Sequence, residues 1–168
     1  MKRKVMVTLL VALLGLTFSI LSVHSVKAES VTSGNFVEVD VRSAQLYNSF
    51  GLSLGKSEPR GSDWYLGKTV TVNGNDYYQV ATNEFLSSND SFVYRNRPEV
   101  IKVSSDDGDV PVYNHNLVES TKVALAPNTS WYSDRVITTS EGMPFVRVAT
   151  NEYVGMWYVI QQQFTEKY

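Results

Sequence analysis

From residue 36 the chain alternates: Val37, Val39 and Val41 are apolar, while Glu38, Asp40 and Arg42 between them are charged. Successive side chains on a strand point to opposite faces, so a period of two with β-branched residues predicts a half-buried strand. Leu46-Tyr47-Asn48 closes this stretch at a turn, Ser49-Phe50-Gly51. Residues 52–62, with Gly55, Pro59 and Gly61, read as a loop. A second strand region begins at Asp63-Trp64-Tyr65-Leu66 and runs on through Thr69-Val70-Thr71-Val72. Asn73-Gly74 then sits between two apolar runs. It predicts a type I′ hairpin, because both central residues of that turn need positive φ. The return strand covers residues 76–80, Asn83-Glu84 marks a bend before Phe85-Leu86, and Phe92-Val93-Tyr94 suits a short closing strand.

The pattern then starts again. Residues 95–98 make the best boundary, since Pro98 cannot donate to a ladder and the flanking charges mark exposed chain. Residues 100–103 form a strand, Asp106-Asp107-Gly108-Asp109 a turn, and residues 110–114 correspond to Leu46-Tyr47-Asn48. Residues 125–132 lead into the counterpart of Trp64-Tyr65, and Glu141-Gly142 takes the place of the Asn-Gly hairpin. Val80-Ala81-Thr82-Asn83-Glu84 returns as Val148-Ala149-Thr150-Asn151-Glu152. Tyr47 to Tyr113 is 66 residues, Trp64 to Trp131 is 67, and Val80 to Val148 is 68. Landmarks in one order at nearly one spacing indicate a duplicated module with single insertions in its loops. No segment after residue 28 keeps a helical period over a dozen residues. The expected architecture is all-β, two tandem small barrel or sandwich units at residues 36–94 and 99–160, followed by a polar, frayed tail at 161–168.

The start of the chain follows other rules. A basic Met1-Lys2-Arg3-Lys4 precedes an uncharged, mostly apolar run over residues 5–26, and Val26-Lys27-Ala28 offers a cleavage site. This layout predicts a secretory signal peptide over residues 1–28, with a membrane role only if the leader stays uncleaved. The whole chain carries 15 basic and 17 acidic residues. Without Lys2, Arg3, Lys4 and Lys27, eleven basic residues face the 17 acidic ones, a net of −6. An acidic protein is a poor general binder of polyanions, which argues against nucleic acid as a partner. The chain has no Cys, so its core must suffice without disulfides, and thiolate chemistry is excluded.

Leu46-Tyr47-Asn48, Trp64, Asn73-Gly74-x-x-Tyr77-Tyr78-x-Val80 and the Ala-Thr-Asn-Glu that follows resemble the surface layer protein A domain of lactobacilli. Leu125-Ala126-Pro127, Trp131-Tyr132-x-Asp134-Arg135 and Arg147 through Val154 are the fuller match. The resemblance covers nearly all of residues 36–160. It implies two tandem SH3-like barrel units that attach a surface protein non-covalently to the cell wall of a Gram-positive bacterium, through anionic polymers such as teichoic acid. It implies no catalysis and no cofactor. Wall-binding pairs of this kind are basic, whereas this chain is acidic, so long-range attraction to a teichoic acid is weak. A basic surface-layer protein docking on an acidic interaction module is the alternative.

Candidate binding residues follow from exposure and charge. Tyr47, Trp64, Tyr113 and Trp131 are expected in the cores, because units this small need large apolar groups. Tyr65, Tyr77, Tyr132 and Tyr158 stand at alternate or edge positions and are the candidates for stacking on wall glycans. Arg95, Arg97 and Lys102 are the densest basic group and the candidate contact for an anionic polymer. Asn83-Glu84 and Asn151-Glu152 read as turn devices rather than a catalytic acid pair, since each copy has its own. Asp106-Asp107-Gly108-Asp109 lacks the twelve-residue loop and distal Glu of an EF-hand and reads as a solvated turn. His115 is the single His after the leader, too few for a His-rich zinc site and with no nucleophile elbow to serve.

Overall fold

The computed structural model describes residues 34–162. The expected leader at 1–28 and residues 163–168 lie outside the described residues. Fourteen strands and a single 3-10 turn at Met156–Tyr158 are present, with no α-helix among the described residues. The fold is all-β.

In the first half the strands are β1 (Phe36–Val39), β2 (Ser43–Tyr47), β3 (Ser53–Pro59), β4 (Asp63–Tyr65), β5 (Thr69–Val72), β6 (Asn75–Ala81) and β7 (Glu84–Ser87). A long strand, β8 (Ser91–Val103), leads into the second half. There β9 (Val110–Tyr113), β10 (Glu119–Leu125), β11 (Ser130–Thr138), β12 (Pro144–Ala149), β13 (Glu152–Gly155) and β14 (Val159–Gln162) follow. They form two sheets. One has five strands in the order β3-β2-β7-β6-β5. The other has nine, in the order β10-β9-β13-β12-β11-β8-β1-β4, with β14 also paired to β8.

The same pairing order appears in both halves. β3-β2-β7-β6-β5 is matched, strand for strand, by β10-β9-β13-β12-β11. β4-β1-β8 in the first half is likewise matched by β11-β8-β14 in the second. One difference separates them. β11 is continuous and serves both layers, pairing β8 from Ser130 to Val136 across a bulge at Asp134, and β12 through Val136–Thr138. Its first-half counterpart breaks at Leu66-Gly67-Lys68 into β4 and β5. At the break Leu66 donates to Asn35 O at 2.9 Å and Gly67 to Gln79 O at 2.8 Å, so the chain steps from one sheet to the other there. A Cβ at Gly67 would meet Gln79 Oε1 at 3.0 Å, a contact that the end of that flexible side chain can relieve by a small shift.

Three expectations are corrected. The break placed at residues 95–98 is a strand. β8 runs for 13 residues through it, pairing β1 with its first four residues and β11 and β14 with the rest. Pro98 is tolerated because the register slips there: Asn96 faces Arg135 and Glu99 faces Ser133, leaving Arg97 and Pro98 opposite the single Asp134. Such a bulge requires no ladder donor from the proline. In consequence two separate barrels do not form. The described strands make no closed barrel, and the nine-stranded sheet takes strands from both halves. The second correction is that residues 53–59 are strand β3 rather than loop. The tail also starts later than expected, since Gln161 and Gln162 still pair with Ile101 and Val100.

The Asn-Gly hairpin forms as expected, with Asn73 at φ 51° and Gly74 at φ 80°. Val37 and Val39 of β1 are fully buried while Glu38 between them is only half-buried, as the alternation requires. Two clusters make the core. One joins Val37, Val39, Leu46, Leu86 and Val93 of the first half to Ile137, Phe145 and Tyr153 of the second. The other, from Ile101 and Val103 to Val146 and Val154, belongs to the second half and the end of β8. Trp64 and Tyr113 are half-buried against the first cluster and Trp131 against the second, so they roof the cores without being enclosed.

Candidate functional site

The aromatic candidates divide in two. Tyr65 on edge strand β4 is 77% exposed, and its ring lies 4.8 Å from that of Phe36. Tyr132, one repeat further on, is 61% exposed. Each follows a half-buried Trp, so alternation along the strand turns the Trp inward and the Tyr outward. Tyr77 and Tyr158 are half-buried. Tyr77 packs edge-on against Tyr47 at 5.2 Å, and Tyr158 lies 5.7 Å from Trp157 in the 3-10 turn.

The basic candidates share one strand, β8, but differ in freedom. Arg95 is exposed. Arg97 is ion-paired to Glu99 at 3.1 Å, with Nη1 3.6 Å from Met156 Sδ. Lys102 is half-buried between Ser130 and Ile160 of the flanking strands.

The sheets bring together a second group that sequence reasoning did not single out. At the junction of the halves Arg135, only 7% exposed, sits with its guanidinium carbon 3.9 Å over the Tyr94 ring. Its Nη1 donates to Glu38 of β1 and lies 3.6 Å from Asp63 of β4. Its Nε and Nη2 reach Asp134 Oδ2 at 3.3 and 3.2 Å. Arg147 of β12 grips the same carboxylate as a fork, donating from Nε to Oδ1 at 2.8 Å and from Nη2 to Oδ2. Tyr94 Oη donates to Asp63 Oδ1 at 2.9 Å.

Electrostatics follow from this geometry. Burial works to raise the Asp134 pKa, but hydrogen bonds from Arg147 and the charge of Arg135 outweigh it and hold the carboxyl below its ordinary range. Glu38 goes the other way. Its burial, helped by Asp63, exceeds the pull of Arg135 and Arg147 and raises it. Burial also pushes up the Tyr94 and Tyr153 hydroxyls, which therefore stay protonated at neutral pH. The arrangement suits holding the halves in register. No group of three or more His, Asp and Glu side chains is placed to hold a metal ion among the described residues.

The echoed Asn-Glu is a bend in both copies. Asn83 has φ 54° and Asn151 φ 55°, the left-handed conformation that Asn tolerates. Each side chain ties its bend to the neighbouring loop: Asn83 Oδ1 lies 3.5 Å from Ser49 N, and Asn151 Oδ1 accepts from His115 N at 2.9 Å. Those loops are also alike. Asn48 Oδ1 accepts from the amides of Phe50 and Leu52, and Asn114 Oδ1 from those of Asn116 and Val118, all at 2.9 to 3.0 Å. Glu84 makes a surface ion pair with Lys56 at 2.6 Å. His115 is buried, its ring stacked on Phe92 at 4.5 Å, with Nε2 3.2 Å from Asp40 and Nδ1 2.7 Å from Asn151 Oδ1.

The signal for the junction lay in the places where the two copies differ. Asp134 and Arg147 stand where the first copy has Gly67 and Gln79, by the offsets of 67 and 68 residues. The first copy thus has a backbone crossing where the second has an ion pair.

Fold and site together define an all-β, two-sheet protein whose halves share a strand, a core cluster and an ion-paired junction, and which displays paired tyrosines on its surface. A family model of the surface layer protein A domain matches residues 41–89. The matched stretch contains β2 to β7, the meander of the first half. The match points to a protein of the cell surface. A search of the curated proteins finds no match.

Proposed function

We propose that this is a secreted, non-enzymatic surface protein carrying two copies of the surface layer protein A domain, each with an SH3-like strand arrangement. It associates non-covalently with the wall or surface layer of a Gram-positive bacterium. The observation that carries this reading is the domain match at 41–89 together with the recurrence of the same strand order in the second half. Tyr65 and Tyr132, exposed at equivalent positions, offer two stacking platforms for wall glycan. Arg95 is the exposed member of the predicted basic group on β8. Extraction of intact cells with concentrated lithium chloride tests the reading. Release of the protein into the extract is expected, and retention in the membrane fraction would contradict it.

The net charge of −6 after the leader favours one further reading, an acidic module that docks on a basic surface-layer protein. Binding to a purified basic surface-layer domain that weakens steeply with salt, with no capture by bare wall, would select it.

A further inference from the structure

Between the end of β1 and the bend that joins β12 to β13, the halves enclose a cleft of about 320 Å³. That is near the lower end of ligand pockets, which run from about 300 to 1,000 Å³ and favour interfaces between structural units. Phe92 and Tyr153 supply its aromatic wall, and Glu38, Asp40, Arg60 and Asn151 its polar one. Thr150 is exposed at the rim.

The polar groups are held in place by bonds that do not exhaust them. Asp40 takes Arg60 on Oδ1 at 3.0 Å and His115 on Oδ2 at 3.2 Å. Each carboxylate oxygen can accept more than one hydrogen bond. Asn151 commits its Oδ1 to His115, which fixes the amide orientation and leaves Nδ2 with no hydrogen-bond partner among the described residues. Phe92 is held by stacking on His115. Fixed planar acceptors and donors beside an aromatic ring suit a ligand rich in hydroxyls. Charge narrows the class further: Glu38 is already paired with Arg135 and Arg147, and Arg60 with Asp40, so the cleft offers a phosphate no unpaired cation and suits an uncharged ligand better.

We infer that this cleft binds a neutral saccharide unit, one or two rings in size, with Asp40 and Arg60 hydrogen-bonding its hydroxyls, Asn151 Nδ2 donating to it and Phe92 flanking it. The inference rests on the wall-associated reading only for the source of the sugar. The occupant is a free sugar or the end of a wall polysaccharide. It is a separate contact from the exposed Tyr65 and Tyr132.

The test is an amide-resolved NMR titration of the purified protein with N-acetylglucosamine, methyl glucoside and glycerol 1-phosphate, beside capture of the same protein by isolated wall. A neutral sugar should give saturable shifts at Gly61, Thr150 and Asn151, and glycerol phosphate should not. Thr150→Trp, at an exposed rim position, should weaken that binding at least tenfold while leaving the rest of the spectrum in place. Arg60→Ala should weaken it less. Absence of saturable shifts with either sugar, or equal shifts with glycerol phosphate, overturns the inference. Wall capture with a silent cleft overturns it and leaves the wall reading intact. Sugar binding at the cleft without wall capture supports it and removes the wall reading.

Discussion

Asp134 is held by two guanidinium groups, and its counterpart in the other copy is a glycine. That single contrast separates the strand order common to the two halves from the contacts that join them. Replacing Asp134 by Asn should cost about 1–3 kcal/mol, the range for charged hydrogen bonds in a partly buried pair, and thermal or denaturant unfolding measures it. The pH dependence has a definite sign. The folded carboxyl lies below its ordinary 3.8, so its stabilisation is complete above that value and is lost as pH falls through the folded pKa. The stability gap between the wild type and Asp134→Asn should therefore be constant at neutral pH and shrink below about pH 4. Glu38 works in the opposite direction. Its pKa is raised, so it costs stability when ionised, and acid relieves that cost. The Asn at the centre of the echoed bend was legible from residue type alone, because a left-handed turn residue with an amide side chain has few substitutes. The ion cluster was not. Glu38, Asp63, Asp134, Arg135 and Arg147 are spread over 110 residues, and only the pairing of β1 and β11 on either side of β8 assembles them.

Elements were legible where a strand has one buried face. β1 and the β5–β6 hairpin carry that alternation, and the Asn73-Gly74 turn sets their register. Gly74→Ala places a Cβ at φ 80° and should cost about 1–2 kcal/mol, lowering the melting temperature without shifting the cooperativity of unfolding. β3 and β10 could not be read this way. Both are edge strands, and both are exposed along nearly their whole length, so their sequences carry no apolar stripe. Backbone pairing to β2 and β9 alone makes them strands. β8 misled for a different reason. Its charged, proline-containing middle has the composition of a linker, and the bulge at Arg97 and Pro98 allows a linker's residues to sit inside a sheet.

For the whole molecule, the two halves, alike in strand order, form one body rather than two. β8 belongs to both halves, and Ile137, Phe145 and Tyr153 of the second half are buried in the cluster built mainly by the first. Ile137→Ala should therefore destabilise by about 2–5 kcal/mol, and the loss should appear in both halves. Hydrogen exchange at amides of β6 and of β12 reports it: equal acceleration is expected, and acceleration confined to β12 would mean that the halves unfold separately. The fused body keeps Tyr65 and Tyr132 at fixed positions, which suits an extended polymer better than a small soluble ligand. On the proposed wall-associated reading, the acidic net charge gives no long-range attraction to an anionic wall, so binding would come from short-range stacking and hydrogen bonds and should depend little on moderate salt, concentrated lithium chloride releasing the protein by disrupting those contacts. Capture of the protein by isolated cell wall, before and after removal of teichoic acid, measures this most directly. The account predicts saturable capture that Tyr65→Ala with Tyr132→Ala reduces at least tenfold. No capture by wall in either state, with the folded protein in solution, would contradict it.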